Sequence, residues 1–425
     1  MFKADRIIIV LFLVTVPILL ASNIFIKFYD ESVSIFMVLF AIVDSIANRQ
    51  WKRYSGLWVL ICVVSFYVIY SIEFVHFNTT PYILKDALIE SKPFVAFFVF
   101  FGISPRFTTL DKQWLKVLAL ATGTFTIFVM LIGLTKAIFG HPAFSGAIVF
   151  ISAMSYWFAT TDDSGETSNH DKLVVFLLLC GGLLCTRSKY YGCFVLATFF
   201  LYFYRPGITR KFKFKHAQIL ILLGVVFVGV AWEKFNYYFI TGGSDTFDPN
   251  KISSYARAAL LLTSVLILWD YFPFGSGFAS FGSYPSSENY STLYYEYHLD
   301  KVYGLSPDMP DFIMDTYYST MAQYGVAGWI LFIYFWIYAY RPLRTMVRHH
   351  ELIPLFSVGS LLICYLLIES VGGTSISQPS GQAAMMMLGI ICGYGKHIGR
   401  YIAEHNEIPT MSQEINSDNF NRKVI

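Results

Sequence analysis

Apolar residues run through this chain in long blocks separated by short polar breaks. Twelve blocks stand out, at 6–22, 32–48, 56–74, 93–105, 114–136, 143–160, 172–187, 190–204, 216–232, 316–340, 351–369 and 381–395. A membrane-crossing helix needs about 20 mostly apolar residues. Several blocks are shorter, 93–105 most of all, and segments of that length tilt, break or dip into the bilayer. Hydrocarbon offers the backbone no hydrogen-bond partner, so segments that cross it satisfy themselves as helices. The pattern therefore predicts an all-α integral membrane protein of about twelve transmembrane helices, one polytopic domain over residues 1–425.

One long stretch breaks the rhythm. It lies between the ninth and tenth blocks, over 233–315, whereas nearly all other connections are short. Inside it, residues 258–269 are apolar but too few to span. If they did span, Arg341, Arg344 and Arg348 would change sides, against the distribution of positive charge. The reading is an amphipathic helix lying along the membrane–water boundary, with Arg257 and Ser264 seven residues apart on its polar face. The segment Asp270-Tyr-Phe-Pro-Phe-Gly-Ser-Gly-Phe ends that helix with Pro and Gly punctuation. A tyrosine-rich segment follows, with Tyr284, Tyr290, Tyr294, Tyr295, Tyr297 and Tyr303. Such tyrosines either anchor at a bilayer interface or offer flat faces to sugar rings. Irregular polar backbone on a rigid scaffold is where function concentrates, and 233–315 is the one large candidate.

Composition confirms the solvent. Hydrophobic residues make up 56% of the chain and charged residues 14%, with a mean hydropathy of +0.54; a soluble domain has about a quarter charged residues. Of the 31 Lys+Arg, 21 fall in the N-terminus, Arg49–Arg53, Arg106–Lys116, Lys172, Arg205–Lys215, Arg341–Arg348 and the tail from Lys396. That bias places both termini inside and the long loop outside. The net charge of +3 is then a topology signal and points to no nucleic-acid partner. The polar stretch Thr161–Asp171 reads as a turn, and residues 403–425 as a polar cytoplasmic tail. The six cysteines fall in or beside apolar blocks without metal-ligand spacing and read as small apolar residues. No metal site and no cofactor is expected.

Three polar clusters remain at the outer ends of blocks. The first is Cys185-Thr-Arg-Ser-Lys-Tyr-Tyr-Gly192, where Arg187 and Lys189 oppose the positive-inside trend. They snorkel to lipid head groups or clamp a pyrophosphate. The second is Asp308-Met-Pro-Asp-Phe-Ile-Met-Asp-Thr-Tyr-Tyr, read as a helix start with Pro310 in the first turn. Asp311, Asp315, Tyr318 and Ala322 then share one face, and Gly325 and Gly328 admit a neighbouring helix. Asp311 reads either as an acid favoured by the helix dipole or as a substrate contact. Asp315 lies one turn further in. The third is Glu369, before Ser-Val-Gly-Gly-Thr-Ser, in structural pairing or in contact with an acceptor.

Together these pieces resemble the O-antigen polymerase and ligase superfamily of bacterial envelope glycan assembly, the Wzy-type polymerases and their ligase relatives. The resemblance rests on Thr186-Arg-Ser-Lys189, Arg257-x-x-x-Leu261, Asp270-Tyr-Phe-Pro-Phe-Gly-Ser-Gly-Phe-Ala-Ser-Phe and Asp315-Thr-Tyr-Tyr-(x)6-Gly325-Val-Ala-Gly328, in that order. Twelve spans with one large outer loop match it as architecture. It implies a GT-C-like fold in the inner membrane, with the active site on the outer face. The implied reaction is an inverting, metal-independent glycosyl transfer that polymerises undecaprenyl-pyrophosphate-linked repeat units into O-antigen, capsule or exopolysaccharide. Arg187, Arg257 and Asp315 would be catalytic; Lys189, Asp270, Asp311, Tyr318 and Glu369 would contact substrate. The implied partners are lipid-linked donor and acceptor glycans, membrane lipid, a chain-length regulator and a flippase. Ligases of this superfamily carry a histidine where Asp315 stands, and the loop's one histidine, His298, lies seventeen residues earlier. The aspartate is similar to polymerases, with a ligase as the alternative. A flippase or other transporter fits the span count too, and so does a non-catalytic assembly factor.

Overall fold

In the computed structural model, residues 4–21, 28–161, 167–204, 256–347 and 349–405 are described, together with Trp232. Twelve helices of 14 residues or more lie among them: α1 (Ala4–Ala21), α2 (Tyr29–Asn48), α3 (Ser55–Tyr70), α4 (Thr80–Ile103), α5 (Thr109–Leu131), α6 (Pro142–Thr160), α7 (Asn169–Gly182), α8 (Ser188–Tyr202), α9 (Ala256–Asp270), α10 (Gly325–Met346), α11 (Ile353–Glu369) and α12 (Pro379–His405). No strand occurs among the described residues. The expected ninth span (216–232), the basic segment Arg205–Lys215, part of the turn after Thr161, the loop residues 233–255 and the tail from 406 lie outside the described residues, Trp232 excepted.

Among the described residues five helices are long and apolar enough to cross a membrane: Trp51–Val75, Thr109–Leu131, Pro142–Thr160, Tyr317–Met346 and Ile353–Gly372. The most apolar stretch of α6 is 89% buried and that of the α3 segment only 11%, so α6 lies inside the bundle and α3 at its periphery. Whole apolar faces remain uncovered by protein, such as Ile35, Leu39, Val43 and Ile46 on α2 and Ile330, Ile333 and Ile337 on α10. In water such surface would be a liability; here it is the lipid-facing belt of an all-α membrane protein.

Two expectations need correction. The segment 74–93 is not a loop before a short span. The chain turns at 76–79 and then runs as one 24-residue helix, α4, about 36 Å long, with Pro93 inside. Its polar residues escaped the apolar pattern because protein groups satisfy them. The Asp86 carboxylate accepts from the Ala279 amide (2.6 Å) and that of Glu90 from the Ser377 hydroxyl (3.0 Å). Lys92 is 3% exposed, paired with Asp30 and, at 2.9 Å, with Glu31. Partners of this kind replace the water a buried charge would otherwise keep. Against α4 lies α12, where a Cβ on Gly389 would stand 2.6 Å from the Phe97 carbonyl oxygen; small residues set this approach. α12 also continues through His405, past the expected helix end near 395 and into the expected tail.

The second correction concerns the entry to α10. Residues 304–316 form turns rather than a helix: Phe312 donates its amide to the Gly304 carbonyl (2.9 Å) and Asp315 to Phe312 (3.0 Å). Thr316 is extended, and the chain coils only briefly over Tyr317–Thr320 and Met321–Tyr324 before Gly325 opens α10. Asp311, Asp315, Tyr318 and Ala322 therefore do not share a helix face. Gly325 has φ +63°, and a Cβ there would lie 2.3 Å from the Gly275 nitrogen and the Pro273 oxygen. What approaches Gly325 is the 273–275 turn, not a helix. That turn is pinned by Ala327 donating to Pro273 (3.0 Å) and Gly277 donating to Gln323 (2.9 Å). A Cβ on Gly328 would meet its own neighbour, the Tyr324 side chain, at 2.1 Å.

α9 is a helix, as expected, and its two faces differ. Ala259, Leu260, Thr263, Ser264 and Ile267 are buried against the protein, while Leu262, Val265, Leu266 and Trp269 are exposed. The tyrosine segment folds largely on itself: Tyr294 is fully buried and accepts from the Gly282 amide (2.8 Å), and Tyr290 donates to the Leu305 carbonyl (2.6 Å). Tyr284, Tyr295 and Tyr303 stay exposed.

Candidate functional site

The loop and the outer-cluster residues gather at one end of the bundle. At the opposite end Arg53 donates to the carbonyls of Gly102 and Ile103, and Arg6 pairs with Asp111 at 2.8 Å. At the site end Tyr70 donates to the Gly275 carbonyl (3.0 Å) and Asn78 to the Ala279 carbonyl (2.8 Å). The length of α4 separates the two.

Arg257, in the first turn of α9, donates from Nη2 to Asp315 Oδ2 at 2.5 Å. The turns over 304–316 hold Asp315 there, and Thr316 donates to the Ser370 carbonyl (3.5 Å), fastening the segment to the end of α11. The pair is partly open: the Arg257 side chain is 17% exposed and that of Asp315 31%. An ion pair so placed is less screened than one on the surface, yet not sealed off.

Lys189 comes from the start of α8, which follows a left-handed Thr186 and an extended Arg187. Its ammonium reaches Glu369 Oε2 (2.8 Å), the Glu369 carbonyl (3.1 Å) and the Gly372 carbonyl (2.7 Å). An ammonium has three N–H bonds and all three find acceptors. Lys189 is thus the tie that holds the turn after α11, and Glu369 is its counter-charge. The same turn receives Arg257: a Cβ on Gly372 would stand 3.6 Å from Arg257 Cζ and from Lys189 Nζ. Two cations from distant parts of the chain meet on that glycine.

Arg187 turns toward His141, the residue that caps α6, with Nη2 2.5 Å from Nε2. The charges of Lys189, Lys136 and Asp315 also reach this imidazole. Burial, then Arg187 and Lys189, push its proton affinity below the ordinary histidine range, and Asp315 opposes them. Arg187, Lys189, Arg257, Asp315 and Glu369 therefore belong to one neighbourhood.

Three expected site residues stand apart. Asp270, at the far end of α9, accepts the Tyr297 hydroxyl (2.7 Å) and braces the loop. Asp311 is exposed on the 304–316 turns. Tyr318 donates to the Leu367 carbonyl (2.8 Å) and stacks on Trp329, tying the approach to α10 onto α11. Two contributors escaped the sequence reading. His141 stands alone before a proline at the start of an apolar block, where an N-cap role was the available signal. Gly372 is one glycine among 29.

Beside this neighbourhood lies an apolar cleft of about 420 Å³ between α3, α4 and the Tyr317–Met346 segment. Phe94, Phe98, Tyr317, Tyr324 and Phe332 line it, and Glu90 is its one acid. Among the described residues no group of His, Cys, Asp and Glu has the spacing to hold a metal ion. No family model matches the chain, and no curated protein matches it.

Proposed function

We propose that the protein is a membrane glycosyltransferase that joins lipid-pyrophosphate-linked glycan repeat units, a polysaccharide polymerase working on the outer face of a bacterial cytoplasmic membrane. Twelve spans, with α9 along the outer membrane surface, are part of this reading. The observation that carries it is the meeting of Arg257, Lys189 and Asp315 at the Gly372 turn, with Arg187 nearby.

The chemistry asks for little else. A sugar hydroxyl attacks the anomeric carbon from the face opposite the pyrophosphate. The new C–O bond forms as the old one breaks, the configuration inverts, and the hydroxyl proton passes to Asp315. The pyrophosphate leaves as a stable anion, so cationic stabilisation replaces an acid. Guanidinium groups bind phosphate oxygens bidentately, and preorganised charge of this kind is usually the largest catalytic contribution. Before substrate arrives, Asp315 balances Arg257. When the pyrophosphate takes over the guanidinium, Asp315 is released to orient the acceptor. The apolar cleft is lined in part by Tyr317, two residues from Asp315, and suits the hydrocarbon part of a lipid carrier.

The aspartate at 315 favours polymerase over ligase by the resemblance described above. A transporter is the second reading, favoured by the buried charges Asp30 and Lys92, with the partly buried Glu31, within the helices. Glycan analysis of a deletion strain separates the three. Single repeat units capping the surface glycan mark a lost polymerase. Finished polymer held on its lipid carrier marks a lost ligase, and repeat units trapped inside mark a lost transporter.

A further inference from the structure

The two ring nitrogens of His141 have conflicting surroundings. Nδ1 accepts the Ala143 amide (3.2 Å) and so caps the 19-residue helix α6. A neutral imidazole carries one N–H; with Nδ1 accepting, that hydrogen sits on Nε2. Yet Nε2 lies 2.5 Å from the Arg187 guanidinium, which has only hydrogens to offer. The other tautomer lets Nε2 accept from Arg187 and sets Nδ1–H against the Ala143 amide. Neither tautomer satisfies both contacts, but an anionic oxygen accepting from Arg187 and from His141 Nε2–H together does. We infer that His141 is a binding residue for the phosphate-bearing leaving group, acting with Arg187 as a paired donor at the mouth of the site; this rests on the glycosyl-transfer reading above.

The surrounding charge agrees. Arg187, which caps α8, Lys189 in its first turn and Lys136 from the short helix Thr135–Phe139 act on the imidazole, and Asp315 opposes them. Burial, then Arg187 and Lys189, work against protonation of the ring. An anion between Arg187 and His141 accepts Nε2–H while Nδ1 goes on accepting the Ala143 amide, so the neutral ring is the binding form. Protonation would set a hydrogen on Nδ1 against that amide, so affinity gains nothing as pH falls through the histidine range.

The test uses the full-length protein in nanodiscs, titrated with inorganic pyrophosphate and with farnesyl pyrophosphate from pH 5.5 to 8, in phosphatidylcholine and in phosphatidylglycerol. The variants are Arg187→Ala, His141→Gln and His141→Asn; asparagine keeps an N-cap acceptor while losing reach to Arg187. Wild type is expected to bind pyrophosphate across this range with no gain at low pH beyond the ligand's own titration. His141→Asn is expected to bind roughly 10-fold more weakly, the size of one hydrogen bond to a charged group. Thermal unfolding of His141→Asn checks that the helix cap survives, and His141→Gln, whose amide restores an N–H donor near the Nε2 position, should recover affinity. Wild-type affinity in His141→Asn, or no recovery in a folded His141→Gln, overturns the His141 assignment while leaving the glycosyl-transfer site standing. No pyrophosphate binding by wild type overturns both. Binding that follows phosphatidylglycerol, with no response to either pyrophosphate, makes the pair a lipid head-group contact and also overturns the assignment.

Discussion

Replacing Lys189 separates a structural tie from a substrate contact. Its ammonium makes one ion pair to a carboxylate that is 10% exposed and two bonds to backbone carbonyls. Hydrogen bonds to a charged group are worth roughly 1.5–3 kcal/mol each on deletion. They do not add, and the lysine side chain is 24% exposed, so about 3 kcal/mol is the expected loss for Lys189→Ala. Much of it comes from leaving the Glu369 carboxylate without its counter-charge. Glu369→Gln keeps both carbonyl bonds and should cost only about 1–2 kcal/mol. In the double variant no charge is stranded, so it should be more stable than Lys189→Ala alone, a coupling that a double-mutant cycle isolates. The assay is thermal unfolding of purified protein in one detergent. The midpoints should fall in the order wild type, Glu369→Gln, double variant, Lys189→Ala. A Lys189→Ala protein that unfolds like wild type and is weakened only in substrate affinity would refute the tie.

Other outcomes follow from single positions. Arg257→Lys retains a charge but loses the planar fork, and transfer should drop about 100-fold with the protein still inserted and folded, as product yield per folded protein reads out. Gly325→Ala should fail to accumulate in membranes: its φ of +63° and the 2.3 Å approach to the Gly275 nitrogen leave no room for a methyl group. Tyr297→Phe removes the hydroxyl that Asp270 accepts and should lower stability by about 1 kcal/mol, with polymer yield tracking the amount of folded protein.

Most of the helices were legible because lipid exposure writes itself in apolar blocks. The misreadings came where protein replaces water or lipid as the solvent of a residue. The first turns of α4 carry Lys85, Asp86, Glu90 and Lys92, which look like loop until Glu288, Ala279, Ser377, Asp30 and Glu31 are seen to answer them. The turns before α10 failed differently. Pro310 suited a helix start, but the carbonyls of Gly304 and Phe312 compete for the local amides, and a distant turn meets Gly325 backbone to backbone. Arg187, Arg257 and Asp315 could be singled out because charge at the end of an apolar block is expensive. Lys189 and Glu369 were visible as charges, but their mutual engagement depends on the turn at Gly372. His141 was hidden by the ordinary role it also fills, as a helix cap.

The central claim is that one cationic turn and one carboxylate perform glycosyl transfer. Purified protein supplied with lipid-pyrophosphate-linked repeat units tests it most directly, with product length read on a gel. A ladder that grows with time, persists in chelator and disappears in Asp315→Asn and Arg257→Ala is the expected result. An unextended substrate with folded wild-type protein, or an undiminished ladder from both variants, would contradict the account.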